Sequence, residues 1–157
     1  MVWEIEKLRS IADYQFAVGA GEALFPPNVR IEISKRTGRV RYVYHGENLI
    51  ASLKPTTGSL ALTIEGFRRL LKRFPPPRFR VKVKREAADS VARGLSVFTK
   101  HVEEADLNIR PGDEVAVVDC RDNLLAVGRA TLSGFEMLKF RVGVAVKVRR
   151  GIYSEKK

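Results

Sequence analysis

Arg78-Phe79-Arg80-Val81-Lys82-Val83-Lys84-Arg85 alternates apolar and basic residues with a period of two, the spacing of a strand that buries one face. Phe79, Val81 and Val83 are assigned to the core, and the opposite face is all cation. Downstream, residues 86–93 open on Glu86, where the helix dipole favours an acid, and are followed by Gly94 as a left-handed stop. This predicts a short helix, with a loop and a strand after it. Arg110-Pro111-Gly112-Asp113 reads as a turn, Glu114 to Val118 as a strand, Asp122-Asn123 as the next reversal and Leu124 to Ala130 as its return. Ser133, with Glu136 three residues on, caps a short helix to Phe140, and Val144 to Val148 forms the last strand. Many short strands separated by small helices imply a barrel-like sheet.

Upstream, Pro75-Pro76-Pro77 removes backbone donors and forces an extended chain, so a domain boundary is placed there, giving domains 1–77 and 78–157. In the first domain, Leu8 to Phe25 holds apolar residues together with Gly19 and Gly21, which predicts a short helix and a tight turn. Val29 to Ile33 and Val40 to Tyr44 alternate around the turn Lys35-Arg36-Thr37-Gly38, a β-hairpin pattern. Leu49 to Leu53 and Leu60 to Ile64, separated by Pro55-Thr56-Thr57-Gly58, extend it to a four-stranded meander. Phe67, Leu70, Leu71 and Phe74 recur at helical spacing and cover the sheet, while Arg68, Arg69, Lys72 and Arg73 form a solvated face. The first domain is thus α+β. Glu155-Lys156-Lys157 is expected to fray, and no internal repeat or low-complexity tract is present.

With 157 residues the chain has room for one medium domain or two small ones, and a TIM barrel of roughly 250 residues does not fit. No run of about 18 apolar residues exists, and the start lacks a basic segment followed by an apolar one, so a cytoplasmic protein without a membrane is expected. A single cysteine, Cys120, excludes an internal disulfide and a cysteine-rich zinc site. The formal charge of +11 points to a polyanionic partner, because a phosphate backbone rewards each lysine or arginine through counterion release. A membrane surface, or simple solvation, would suit the same charge.

Catalytic constellations are not found. His45 and His101 stand far apart with no second ligand at helical spacing and read as surface or turn residues. Gly19-Ala20-Gly21 lacks the third glycine and the preceding buried strand of a dinucleotide fingerprint. Glu103, Glu104 and Asp106 read as a solvated loop. The basic residues are more confined. Residues 78–100 carry seven cations (Arg78, Arg80, Lys82, Lys84, Arg85, Arg93, Lys100) against two acids, and residues 139–150 carry five (Lys139, Arg141, Lys147, Arg149, Arg150) against none. If the first and last strands of the second domain are close, the two sets merge around Gly94 into one electrostatic footprint. Gly94 then lets a phosphate approach the backbone, or simply ends a helix; Phe98 is read as core, with a base-stacking face as the alternative.

Four blocks in order, Gly94-Leu95-Ser96-Val97-Phe98-Thr99-Lys100-His101-Val102, Arg110 to Val115, Leu125 to Ala130 and Gly143 to Gly151, resemble the PUA family of RNA-binding domains. The Val146-Lys147-Val148-Arg149-Arg150-Gly151 ending is similar to the C-terminal PUA domain of archaeal tRNA-guanine transglycosylases, which begin archaeosine synthesis. Ile11 to Phe16 and Gly19 to Pro26 resemble the segment preceding PUA in the same enzymes. The resemblance implies a mostly β pseudobarrel with short helices. Its RNA surface, formed by the loop after the first helix and by the last strand, maps onto Gly94, Ser96, Val97, Lys100, Lys147, Arg149 and Arg150. The basic pattern adds Arg80, Lys82 and Arg93. The catalytic barrel, with its nucleophilic aspartate and zinc cysteines, has no counterpart here. The expectation is therefore a non-enzymatic RNA-binding protein without metal or cofactor. Its expected partner is structured RNA, tRNA foremost, and it acts either alone or as the RNA-binding subunit for a separately encoded catalytic chain. The alternative is a protein-interaction adaptor in RNA modification or ribosome biogenesis with secondary RNA contact.

Overall fold

The computed structural model describes residues 2–154, so the expected fraying of Glu155-Lys156-Lys157 lies outside the described residues. The chain divides into two compact units, Met1–Phe74 and Pro75–Lys157.

In the first unit, α1 (Val2–Gln15) and α2 (Ala20–Leu24) precede an antiparallel sheet of β1 (Arg30–Ile33), β2 (Val40–His45), β3 (Asn48–Leu53) and β4 (Leu60–Leu62), paired in that order, and α3 (Ile64–Arg73) follows. The first helix begins six residues before the Leu8 expected from sequence, because Ile5, Leu8 and Ala12 form one buried stripe at helical spacing. Its last turn is tied to the sheet edge: the Gln15 amide accepts from Leu60 N (2.7 Å) and donates to Leu60 O (2.8 Å), as a further strand would. Phe16 packs edge-on against Phe67 at 6.2 Å between ring centroids, while Tyr14 is exposed. Gly21 lies against the Arg9 backbone, 2.5 Å from the carbonyl oxygen for a built Cβ, and its amide donates to Asp13 Oδ1 at 2.7 Å. Ile64, expected in the fourth strand, starts α3 instead. Thr63 caps that helix, its hydroxyl accepting from Gly66 N (3.1 Å) and donating to Leu49 O (2.6 Å).

The second unit contains β5 (Arg80–Val83), α4 (Arg85–Ala92), β6 (Val97–Phe98), a 3-10 turn (Thr99–His101), β7 (Val102–Ala105), β8 (Glu114–Val118), β9 (Leu124–Ala130), α5 (Gly134–Lys139) and β10 (Val144–Gly151). Its strands run β6-β10-β9-β8-β5-β7, antiparallel except for the parallel β5–β8 pair. The two outermost strands, β6 and β7, are joined by the 3-10 turn alone, so the sheet curls into a nearly closed barrel around Val81, Val83, Val97, Val115, Val117, Ala126, Met137 and Val146.

Three expectations need correcting. Glu103 and Glu104 lie in a strand, with Glu104 opposite Lys82, so this is no solvated loop. Asp106 is 5% exposed and accepts from the amides of Phe79 (2.8 Å) and Asn108 (3.0 Å). Phe79 is not an alternating core residue: it is half-exposed with φ 64°, a left-handed conformation held by that bond.

The Ser133 capping box is formed, Ser133 Oγ accepting from Glu136 N at 3.1 Å and Glu136 Oε1 accepting from Ser133 N at 2.9 Å. Ser133→Ala is expected to lower stability by about 1 kcal/mol in urea denaturation. Gly134→Ala should lower it further, because a Cβ there runs into the Asp106 carbonyl. An equal or smaller loss at Gly134 would show that the α5–β7 contact yields without strain.

Candidate nucleic-acid interface

Helix α4 ends in a Schellman motif: Gly94, at φ +107°, donates to Val91 O (2.9 Å) and Leu95 donates to Ser90 O (3.1 Å). That turn is fastened to the far end of β10. Tyr153 N donates to Ala92 O (2.8 Å), and Ser154 Oγ accepts from Gly151 N (2.8 Å) and donates to Arg93 O (3.4 Å). Ser96 Oγ accepts from Val148 N at 3.3 Å, next to a bulge between Val148 and Arg150. Local helix-stop chemistry thus brings Arg93, Gly94 and Ser96 alongside Lys147, Arg149 and Arg150. The space left by the missing Gly94 side chain is not open: Ser154 Oγ lies 2.8 Å from a built Cβ.

The cations fall into two groups. Lys147 is exposed and lies opposite Arg129 on β9, which is exposed and lies opposite Glu114 on β8. Glu114 is buried, its side chain only 1% exposed, and Arg149 grips it with two bonds of 2.6 and 3.1 Å. Arg150 is half-buried at the bulge. Arg93 pairs with Asp89 at 3.1 Å in the open, a weak restraint. Lys100 is exposed in the 3-10 turn, whose Thr99 amide donates to Gly143 O just before β10. Arg129 was not singled out in the sequence. It is the only charge in β9, but its place beside Lys147 becomes visible only with the strand register.

Arg80 and Lys82 do not join this group. Strands β9 and β8 separate β5 from β10, so the β5 members of the first basic set do not merge with the second as expected, whereas Arg93 and Lys100 do lie beside β10. Arg80 is 4% exposed, and its guanidinium donates to Asp122 (2.8 and 3.1 Å) and to Arg78 O (3.0 Å). Lys82 pairs with Glu104 at 3.2 Å. The Val97 side chain is fully buried, leaving at most its backbone for a ligand. Phe98, read first as core, is instead 47% exposed, edge-on to His101 at 6.5 Å and opposite exposed Val144. Asp122 sits at φ 62° in a turn organised by Asp119. Partial burial acts upward on the Asp119 carboxyl, but bonds from the Asn123 and Arg121 amides (2.9 Å each) prevail and hold it below the usual carboxylate range.

His45 meets Asn28 Oδ1 at 3.1 Å, and among the described residues no group of three or more His, Cys, Asp or Glu could hold a metal. Among them, too, no helix is long and apolar enough to cross a membrane.

Residues 6–77 match the family pattern of the patch-forming domain C2 of tRNA-guanine transglycosylase, and residues 79–152 match that of the PUA domain. The chain is 44% identical over 148 residues to tRNA-guanine(15) transglycosylase of Methanothermobacter thermautotrophicus, covering 94% of this chain and 23% of that enzyme. With the Pyrococcus furiosus enzyme it shares 46% identity over 149 residues, or 95% and 25% of the two chains. It therefore spans about a quarter of the length of these relatives. Among solved structures, a hypothetical protein of Pyrococcus horikoshii superposes with TM-score 0.74 at 19% identity, covering 94% of this chain and 89% of that one. A conserved PUA domain protein of Thermoplasma acidophilum does so at 0.60 and 19%, covering 91% and 89%.

Removing the Arg149 donors from a carboxylate as buried as Glu114 is expected to lower stability; Arg149→Ala should lose about 2 kcal/mol in urea denaturation. A neutral result would mean the pair is held without net gain. A depressed carboxyl stabilises the fold above its unfolded-state titration and ceases to do so as pH falls through the folded one. Protection of the Arg121 and Asn123 amides, measured against their intrinsic exchange rates, should accordingly fall in acid before that of the rest of the barrel, and uniform behaviour would deny Asp119 that role.

Proposed function

From a chain built of a patch-forming C2 domain and a PUA domain, the C-terminal-like region of the tRNA-guanine transglycosylases, we infer an RNA-binding role linked to tRNA modification. The observation that carries this reading is the fastening of the α4–β6 turn against β10, which gathers Arg93, Lys147, Arg150 and Arg129 at the edge of a PUA barrel in a chain of charge +11. Cations spread over a rigid sheet suit phosphates held by shape more than base edges read one by one. The RNA is tRNA, which the chain grips either alone or on behalf of a transglycosylase catalytic region; no residue of the site is assigned a catalytic step. Lys100 adds a cation at the 3-10 turn, and Gly94, Ser96 and Val97 contribute backbone. Arg149 acts by fixing β10 to β8, and Arg80 and Lys82 support the barrel.

A second reading, a protein-docking adaptor, is favoured by exposed apolar residues: Phe98, Phe135, Leu138, Phe140, Val142 and Val144. Salt separates the two, since an adaptor should bind its partner with little counterion release.

The test is filter binding of tRNA at two salt concentrations by the native chain and by Lys147→Glu/Arg150→Glu, which leaves the Arg149–Glu114 pair intact. Native affinity should fall steeply with salt, and the variant should bind about tenfold or more weakly, with a shallower salt slope. Native binding no tighter than that of a generic basic protein, unaltered in the variant, would return the adaptor as the working reading.

A further inference from the structure

The first unit carries a basic cleft of its own. In an antiparallel meander, the β1–β2 turn (Ser34–Arg39) and the β3–β4 turn (Lys54–Ser59) leave the sheet at the same end, two strand spacings or about 10 Å apart. They are twins. Ser34 N donates to Arg39 O and Gly38 N to Ser34 O; Lys54 N donates to Ser59 O and Gly58 N to Lys54 O; all four bonds are 2.8 Å. Gly38 and Gly58 take φ of 72° and 71°, with nothing within 4 Å of a built Cβ, so both turns present bare backbone outward. Thr37 and Thr57 hydroxyls accept from Arg39 and Ser59 amides at 3.3 Å each.

Between the turns lies a cleft of about 710 Å³, lined by Arg36, Arg39, Arg41, Tyr42 and Lys54 together with hydroxyl residues of both turns and by no acid. Among the described residues no carboxylate pairs with Arg36, Arg39 or Arg41; Arg41 lies over the Tyr42 ring at 5.3 Å. Three guanidinium forks converging without a counter-charge repel one another, and each fork matches a phosphate bidentately. Further along β2, the Tyr44 ring centroid is 6.4 Å from that of Tyr42, with Arg30 over it at 4.3 Å. Glu32, cross-strand from Tyr42, pairs with Arg30 at 3.9 Å, and the aromatic faces and cations leading out of the acid-free cleft suit a polynucleotide better than a lone small anion.

We propose that the cleft between the twin hairpin turns binds phosphates of an RNA strand, with Tyr42 as a stacking surface at its mouth. This rests on the RNA-binding reading of the chain and adds to it a second, separate contact.

The experiment measures tRNA affinity and its salt slope for the full chain, for Arg36→Glu/Arg39→Glu/Arg41→Glu, for the lysine equivalents of those three, and for Lys147→Glu/Arg150→Glu. The glutamate triple should bind about tenfold or more weakly, with a slope shallower by about two, while the lysine triple keeps most of the affinity. Tyr42→Leu should bind a few-fold more weakly with an unchanged slope, and it decides the matter if the glutamate triple melts early. An unchanged triple beside a weakened Lys147/Arg150 variant overturns the cleft and leaves the RNA reading standing. Failure of the native chain to bind tRNA overturns both.

Discussion

One buried carboxylate ties the second unit together. Asp106, at the end of β7, holds the Phe79 amide with its side chain and the Arg80 carbonyl with its own amide (3.0 Å). Its carbonyl accepts from Ile109 N at 3.1 Å and forms the floor on which Gly134 rests. Strand β5, the edge strand β7 and helix α5 thus meet on one residue. A buried carboxylate is tolerated only when its oxygens are occupied, and here two backbone amides occupy them. The same bond steadies the left-handed Phe79 from which β5 enters the sheet, where Phe79 O accepts from Ala116 N to begin the parallel pairing with β8.

Charge in this unit serves two ends, and burial sorts them. Arg80 with Asp122 and Arg149 with Glu114 each place one largely buried partner against an opposite charge, so these cations are committed to the barrel. Lys147, Arg129 and Lys100 remain exposed on β10, β9 and the 3-10 turn, while Arg93 holds only a surface partner. Net charge alone does not describe such a surface, because even the most regular run of cations in the sequence, 78–85, gives Arg80 to a pair with Asp122 and Lys82 to a pair with Glu104.

What was legible in the sequence was local. The Ser133–Glu136 box, the Gly94 stop, the Arg110–Asp113 turn and the first and third turns of the meander are signals spanning three to six residues, and each appears where its residues place it. The PUA resemblance ordered these pieces into a barrel. Contacts between elements were not legible. Arg80 reads as exposed until Asp122, 42 positions away, is brought to it, and Phe98 reads as core until β10 proves to leave Val144 uncovered beside it. The acidic stretch at 103–106 conceals a strand, because its apolar members, Val102 and Ala105, sit three apart and break the period of two. That the α4–β6 turn and β10 lie side by side agrees with the sequence reading, whereas the place of Arg129 and the structural duty of Arg149 depend on register and a bulge that no spacing announces.

Cys120 is the chain's sole cysteine, and it is exposed on the turn between β8 and β9, two residues from the aspartate that holds Arg80. The Ile152 amide donates to Leu125 O at 2.9 Å, which puts that turn at the end of the barrel where β10 finishes. The native chain therefore comes with a unique attachment point for a maleimide dye or a photo-crosslinker, on the same barrel as Lys147. Ligand occupancy can be followed by energy transfer from that position without introducing or removing a single side chain.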